Sequence, residues 1–467
     1  VCHMGHRKTS AARFGDLPSL SLSGFLIDHG VRLRRFKTGT TPRIAKSSIN
    51  FSRVEAVPSE ADAGTISFLP GYRPDRPLLP TWQTFTQPAT HQVIQENLGH
   101  SAMYGGQISG SGPRYCPSIE DKVVRFAEKD SHPVWLEQET WDGESFYVQG
   151  VSTSLPEEVQ LAFLRTIPGL ADVLMLRPGY AVEYDMADPL QLSPHLMSQE
   201  LDGLFLAGQL NGTSGYEEAA GQGLVAGINA AHYAQEKPPV DFPRDESFIG
   251  VMIDDLTTKG VDDPYRMLTG RSEHRLLLRS DNADARLTPK AKELGLASEE
   301  RIRLWETKRE AIERGQAWME NTYVTTVAND RLTERGSAPV AGRASLFDLC
   351  RRPELRLEGA LAVYAQANPV SNDPEVRTQI ELAALYDGYW QRQQRTAEES
   401  RRLDTMRIPD HWDYKALTAL SAESREKLAR VRPATIGQAS RVPGVRASDI
   451  AVLIGFLRAA QAATTSA

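Results

Sequence analysis

Cys116 is the first residue whose neighbours suggest chemistry. It stands in Gly110-Ser111-Gly112-Pro113-Arg114-Tyr115-Cys116-Pro117-Ser118-Ile119-Glu120-Asp121-Lys122, with two cations close in sequence. Cationic neighbours favour the thiolate, which is the nucleophilic form. Ser118 is placed to cap a helix from Ile119 to Phe126, and Glu120 and Asp121 suit that helix's positive end. A reactive thiol and a buried structural cysteine beside a capped helix both fit this spacing. Cys350 reads as an inert core residue, and Cys2 carries no inference.

A second segment, Gly208-Gln209-Leu210-Asn211-Gly212-Thr213-Ser214-Gly215-Tyr216-Glu217-Glu218, interleaves glycines with polar side chains. Glycines permit positive φ and close backbone approach, and a helix start offers unpaired N–H groups to a phosphate or a flavin ring. A tight turn without a ligand remains the alternative. Arg271, Arg275 and Arg279 recur every four residues in the stretch from Arg266 to Arg279, so a helix would align them on one face. Such a ridge suits the phosphates of a nucleic acid; the alternative is a solvated face paired with Glu273, Asp281 and Asp284. His274 has no partner at metal-ligand spacing. Asp254-Asp255 reads as a capped turn rather than an acid/base pair, because adjacent side chains point in different directions.

These segments need elements to hold them. Seven of the 35 glycines fall between 203 and 227. There, Gly203 to Gly208 reads as a short buried strand and Glu217 to Ala231 as a small-residue helix, the layout that lets a backbone approach a cofactor. Residues 133–150 read as two strands about the Asp142-Gly143 turn. Pro156 to Thr166 reads as a helix with Ser154 as cap. Residues 46–100 are rich in Pro and Thr with few helical periods. Helical spacing dominates from about 290 onward, in Ser298 to Asn321 and Pro374 to Arg407, and two or three short helices follow, broken at Pro409, Pro433 and Pro443.

The 467 residues suit two or three domains, and 40% apolar with 24% charged residues excludes wholesale disorder. No apolar run is long enough for a membrane helix, and no signal peptide is visible. A net charge of −7 excludes a uniformly basic surface but not a local basic patch. Three scattered cysteines exclude a disulfide framework and a Cys-rich zinc site, so a reducing compartment and no metal are expected.

Taken together, several strings closely resemble the MnmG/GidA family of tRNA uridine 5-carboxymethylaminomethyl modification enzymes. They are Phe36-Lys37-Thr38-Gly39-Thr40 with Pro42-Arg43, Gly112 to Phe126, Ser152 to Pro156, Arg177 to Asp185, Gly208 to Ala231, Asp254 to Arg279, Asp281 to Asp284, and Arg432 to Arg441. Small departures from the family pattern occur at Thr41, Gln138, Gly270 and His274. The resemblance also places the chain's start beyond the family's Gly-x-Gly-x-x-Gly phosphate loop and its other functional cysteine. A truncated chain that binds FAD poorly is therefore expected.

The resemblance implies an α/β fold: the remainder of a Rossmann-type FAD-binding domain (1–45 and 170–236) and an inserted α/β domain of nicotinamide-nucleotide type (46–169). A helical region with a basic tRNA-contacting segment (237–400) and a helical subdomain for a partner GTPase and tRNA (401–467) would follow. It implies FAD-dependent addition of a (carboxymethyl)aminomethyl group at carbon 5 of the wobble uridine, with NADH as reductant and methylenetetrahydrofolate as one-carbon donor. Cys116 would be catalytic. Cofactor contacts would come from Ser19, Gln209, Asn211 and Gly212, and from Gly112, Pro113, Arg114, Tyr115, Ser118, Glu120, Asp121 and Lys122. Arg266, Arg271, Arg275 and Arg279 would contact tRNA. A homodimer within a heterotetramer is implied, without a membrane, in the bacterial cytoplasm or alternatively the mitochondrial matrix. The competing readings are a non-catalytic tRNA- or partner-binding remnant and a small-molecule flavin oxidoreductase.

Overall fold

The computed structural model describes residues 1–13, 15–60, 67–69, 76–112, 117–409 and 411–465. Alternating strands build two sheets in the first 190 residues. β1 (Cys2–Met4), β2 (Arg7–Thr9), β3 (Leu33–Thr40) and β10 (Tyr180–Ala187) form a sheet of order β2-β1-β10-β3. β4 (Arg43–Ala45), β5 (Glu55–Val57), β6 (Thr81–Phe85), β7 (Pro133–Gln138), β8 (Ser145–Gln149) and β9 (Met175–Arg177) form a second, of order β5-β6-β7-β8-β4-β9. Every ladder in both sheets is antiparallel. Inward residues of the second sheet, among them Ile44, Val134, Leu136, Phe146 and Val148, are fully buried. They pack against α2 (Pro88–Glu96), α3 (Ile119–Arg125) and α4 (Glu157–Leu164). The expected hairpin over 133–150 is present.

Three local expectations change. A helix, α2, lies inside the Pro- and Thr-rich stretch, because Gln87 and Thr90 form a capping box and Pro88 occupies the first turn. Pro156, not Ser154, precedes α4; the Ser154 side chain is engaged with Ser101 and Glu120 instead. Gly203 to Gly208 is not a strand: Phe205 makes only an isolated bridge to Met197, while Leu206 N–H donates to the Leu196 carbonyl.

Beyond α1 (Leu20–Asp28), the helices α5 (Tyr216–Ala234) and α6 (Phe248–Lys259) cover the first sheet. The rest is almost wholly helical: α7 (Ala283–Glu293), α8 (Glu299–Asn321), α9 (Asn329–Glu334), α10 (Leu346–Cys350), α11 (Arg356–Tyr364) and α12 (Pro374–Asp404), with a small ribbon of β11 (Tyr323–Thr325) and β12 (Arg343–Ser345). Ser298 caps α8 by accepting from Arg301 N–H. Cys350 is buried in this core, as expected, and burial pushes its thiol up to about 12. A separate core, including Leu420, Leu428, Ile436 and Leu453, holds α13 (Ala422–Val431), α14 (Ile436–Arg441) and α15 (Ala447–Thr465).

Candidate functional site

The β3–β10 ribbon is the platform. Its register sets Lys37 opposite Glu183 and Phe36 opposite Tyr184, so strand alternation turns the first pair to one face and the second to the other. On the first face lies the segment that leads to Cys116. Glu183 Oε1 accepts from Ser109 N–H at 3.1 Å and Gly110 N–H at 3.3 Å, and Glu183 Oε2 lies 2.9 Å from His3 Nε2. Burial alone would raise the Glu183 carboxyl, but those N–H groups, His3 and Arg35 hold it below the usual carboxylate range. Lys37 N–H donates to the Ser111 carbonyl at 2.9 Å.

Gly110 is needed for closeness to the backbone, whereas Gly112 faces only the movable end of Lys37. A Cβ on Gly110 would sit 2.9 Å from the Phe36 carbonyl carbon, and one on Gly112 would sit 2.4 Å from Lys37 Cε. Pro113, Arg114, Tyr115 and Cys116 lie outside the described residues. The chain resumes into α3, whose cap is Ser118, accepting from Asp121 N–H at 3.2 Å. Glu120 is fully buried; its Oε1 accepts from Ser154 N–H at 2.9 Å and Ser101 Oγ at 3.0 Å, while Oε2 has no partner among the described residues. Asp121 accepts from Tyr104 Oη, and burial together with that carboxylate pushes the phenol up to about 12. Lys122 Nζ donates to the Gly150 carbonyl at 2.9 Å.

On the Tyr184 side lies the glycine loop. Gly208 and Gly212 take φ of +71° and +76°, the left-handed region that favours glycine. A residue absent from the sequence reading holds the loop together: Gln222 of α5. Its Oε1 accepts from Gly208 N–H at 2.7 Å and Asn211 Nδ2 at 3.1 Å, and its Nε2 donates to Thr213 Oγ1 at 2.5 Å. Thr213 Oγ1 in turn donates to the Gly208 carbonyl. Tyr265 N–H donates to the Gly212 carbonyl at 2.9 Å, fastening the far side. Gln209 is exposed. Burial lifts the Tyr184 phenol to about 12, with Gln209 near enough to pull the other way. Asn211 Oδ1 is buried without a hydrogen-bond partner among the described residues. Ser19 is exposed at the start of α1, and its side chain makes no cap bond.

The basic stretch does not form the expected helix. Only Thr269–Arg271 makes a short 3-10 turn, and single turns follow. Competing partners explain this. Arg266 Nε donates to buried Glu218 at 3.1 Å, Arg271 Nε donates to the Arg266 carbonyl, and the Arg271 guanidinium lies 4.4 Å from the Tyr265 ring centroid. Arg279 is paired with Asp281 at 3.0 Å. Arg275 is exposed and makes no ion pair among the described residues. The four cations therefore do not share one helical face.

Asp254 and Asp255 do not form a capped turn; they are buried in α6. Arg244 Nη1 reaches Asp254 at 3.1 Å and Asp255 at 2.8 Å, and Asp255 also binds Lys259 at 2.6 Å and Tyr265 Oη at 3.0 Å. Arg441 of α14 grips Asp254 through two 2.7 Å bonds and Asp404 through one of 2.8 Å. Sequence signals for this cluster were the acid pair itself and the Arg432 to Arg441 string. Their long separation hid the pairing.

Two left-handed glycines with the exposed Gln209 between them give a turn whose backbone can be approached closely, which fits a polar, planar ligand such as a flavin ring. The arrangement defines a class: an α/β cofactor-binding region joined to an all-helical region. Family models match most of the chain, leaving 239–298 between them. "Glucose inhibited division protein A" matches residues 1–238, "tRNA modifying enzyme MnmG/GidA C-terminal helical domain" matches 299–394, and the corresponding "C-terminal helical bundle" matches 396–467. The chain is 47% identical over 448 residues to the tRNA uridine 5-carboxymethylaminomethyl modification enzyme MnmG of Heliobacterium modesticaldum, covering 95% of this chain and 70% of that protein. Its counterpart in Exiguobacterium sibiricum is 47% identical over 452 residues, covering 96% and 72%. The structure of Aquifex aeolicus GidA superposes with a TM-score of 0.85 at 39% identity, covering 98% of this chain and 72% of that one. The chain belongs to the MnmG/GidA family. No helix among the described residues is long and apolar enough to cross a membrane.

Proposed function

We propose that the chain takes part in FAD-dependent modification of tRNA, adding a (carboxymethyl)aminomethyl group at carbon 5 of the wobble uridine. NADH would be the reductant, methylenetetrahydrofolate the one-carbon donor, and a partner GTPase would act with it. The reading places it in the bacterial cytoplasm, as a homodimer within a heterotetramer. One observation carries the proposal: the Gly208–Gly212 loop, with two left-handed glycines held by Gln222, packs on one face of the β3–β10 ribbon, whose other face carries the Ser109–Gly112 segment leading to Cys116.

In this reading Gln209, Asn211 and Gly212, with Ser19, hold FAD, whose bound form supplies the redox chemistry. Gly112 to Lys122 contact the nicotinamide nucleotide; Ser118, Glu120 and Asp121 already sit at the start of α3 with one Glu120 oxygen unpaired. Cys116 acts on the uracil, where a thiolate adding at carbon 6 or a base removing the carbon 5 proton makes carbon 5 nucleophilic. Arg266, Arg271, Arg275 and Arg279 contact tRNA phosphates from a turn-rich surface rather than a helix. Residues 401–467 engage the GTPase and tRNA.

The test is nucleoside mass spectrometry on tRNA from a strain lacking this gene, complemented with the unaltered gene or with Cys116→Ser. Loss of the wobble modification with tRNA affinity kept within a few fold supports the reading. Unaltered modification in the Cys116→Ser strain refutes the thiol's role.

A further inference from the structure

A cavity of about 970 Å³ lies between α7, α8, α12 and the turn before α7, away from the β3–β10 ribbon. That volume is in the range of small-ligand sites. Its wall includes two indoles, Trp305 and Trp390, each with a guanidinium near its face: Arg309 at 5.2 Å from the Trp305 centroid and Arg279 at 5.2 Å from that of Trp390. Arg286 lines the same cavity. Its Nε donates to Asn282 Oδ1 at 2.9 Å, and its terminal nitrogens donate to the Glu246 and Arg279 carbonyls. It makes no ion pair among the described residues.

Most of the acids in the wall are already engaged. Arg401 binds Asp245 and Glu246, and Lys308 binds Asp284 at 2.9 Å. Asp387 is held by Arg351, Glu313 lies 4.0 Å from Arg309, and Glu293 and Glu398 are exposed at the edge. What the wall still lacks is an anion for Arg286 and a planar group for its aromatic faces. Burial and the nearby Arg279 charge both press the Arg286 pKa downward, while Asp281, Asp284 and Glu246 only partly offset them. An added anion would relieve that strain.

We propose that this cavity receives one unstacked nucleotide, its base stacked among Trp305, Trp390 and the guanidiniums beside them and its phosphate against Arg286. Stacked aromatics plus a cation are the chemistry by which proteins hold single-stranded nucleotides. Arg279 belongs both to this wall and to the basic stretch, which makes a nucleotide of the bound tRNA the source the surface favours. In that respect the inference rests on the function proposed above; a free mononucleotide shares the chemistry.

The experiment uses the full chain with an unmodified tRNA transcript and, separately, with UMP and AMP. Trp390→Ala should weaken tRNA binding about tenfold, Trp390→Phe should retain most of it, and Arg286→Met should lower the slope of log affinity against log salt by about one. Circular dichroism controls for folding. Irradiating the unsubstituted chain with 5-bromouridine-containing tRNA should cross-link Trp390 or Trp305, a readout that needs no variant. Competition by UMP or AMP at this site would identify a free nucleotide as occupant. Normal tRNA binding by both variants with no cross-link at either indole overturns the cavity proposal and leaves the tRNA reading standing. Absence of binding by tRNA, UMP and AMP alike overturns both.

Discussion

Removing the amide of Gln222 should open the glycine loop without unfolding the protein. The side chain is fully buried, and its three hydrogen bonds tie Gly208, Asn211 and Thr213 to α5. Gln222→Leu keeps the approximate volume. It leaves the Gly208 N–H and the Asn211 amide without their acceptor, while Thr213 Oγ1 keeps its bond to the Gly208 carbonyl. A buried polar group left unsatisfied costs about 1–3 kcal/mol, so two cost about 2–6 kcal/mol. Much of that is avoided if the loop opens and water satisfies the donors. The cost then appears as local rather than global instability. Even the lower figure raises the open population about thirtyfold. Hydrogen exchange followed by mass spectrometry on peptides spanning 205–215 measures this directly. Exchange in Gln222→Leu within threefold of the unsubstituted chain would mean that the loop is held by other contacts, and the reasoning would fail.

Three further outcomes follow from other contacts. The Glu183 carboxyl is held below its usual range in the folded chain, so its contribution is present above the unfolded carboxylate pKa and is lost as pH falls through the depressed folded value. Hydrogen exchange at Ser109 and Gly110, corrected for intrinsic pH dependence, should therefore rise only in that acidic window, and Glu183→Gln should remove the pH-dependent step. Arg441→Met leaves Asp254 with Arg244 as its remaining cation and frees the part-exposed Asp404, so its cost should fall below the about 3–5 kcal/mol of breaking a fully buried pair. Limited proteolysis should then release residues 401–467 earlier, whereas unchanged cleavage would show the bond to be dispensable. Arg275→Glu, at an exposed side chain without an ion pair, should reduce tRNA affinity and its salt dependence while leaving the melting temperature unchanged. Arg279→Glu should lower the melting temperature as well, since it sets like charges beside Asp281.

Local chemistry was legible where one or two neighbouring residues decide the outcome. Ser118 caps its helix as its position indicates, and the turn at Asp142-Gly143 joins β7 to β8. Legibility failed where a distant partner decides. Arg271 and Arg279 have helical spacing, yet Tyr265 and Asp281 offer each guanidinium a better site than a shared face. Asp254-Asp255 looks like a turn until Arg244 and Arg441 arrive from ten residues before and nearly two hundred after. In the candidate site the glycine loop stood out by composition, but Gln222 did not, being one more polar residue on a small-residue helix. Lys37 and Glu183 lay inside recognisable strings with nothing local to show that they would face each other. The segment holding Cys116 was conspicuous in sequence, and Gly110 and Gly112 place its approach against Phe36 and Lys37, while Cys116 itself lies outside the described residues.

Helix α12, 31 residues long, is about 46 Å from end to end. Near its start Gln379 holds the Asp281 side chain beside Arg279, further along Trp390 forms part of the cavity wall, and at its end Asp404 meets Arg441. The same rod therefore lines the cavity over most of its length, from Gln379 to Arg401, and meets the terminal bundle at its end. A load on the bundle that tilts this rod by a few degrees would shift Trp390 and Gln379 together, so docking at the terminus and occupancy of the cavity would be felt by each other through a single lever.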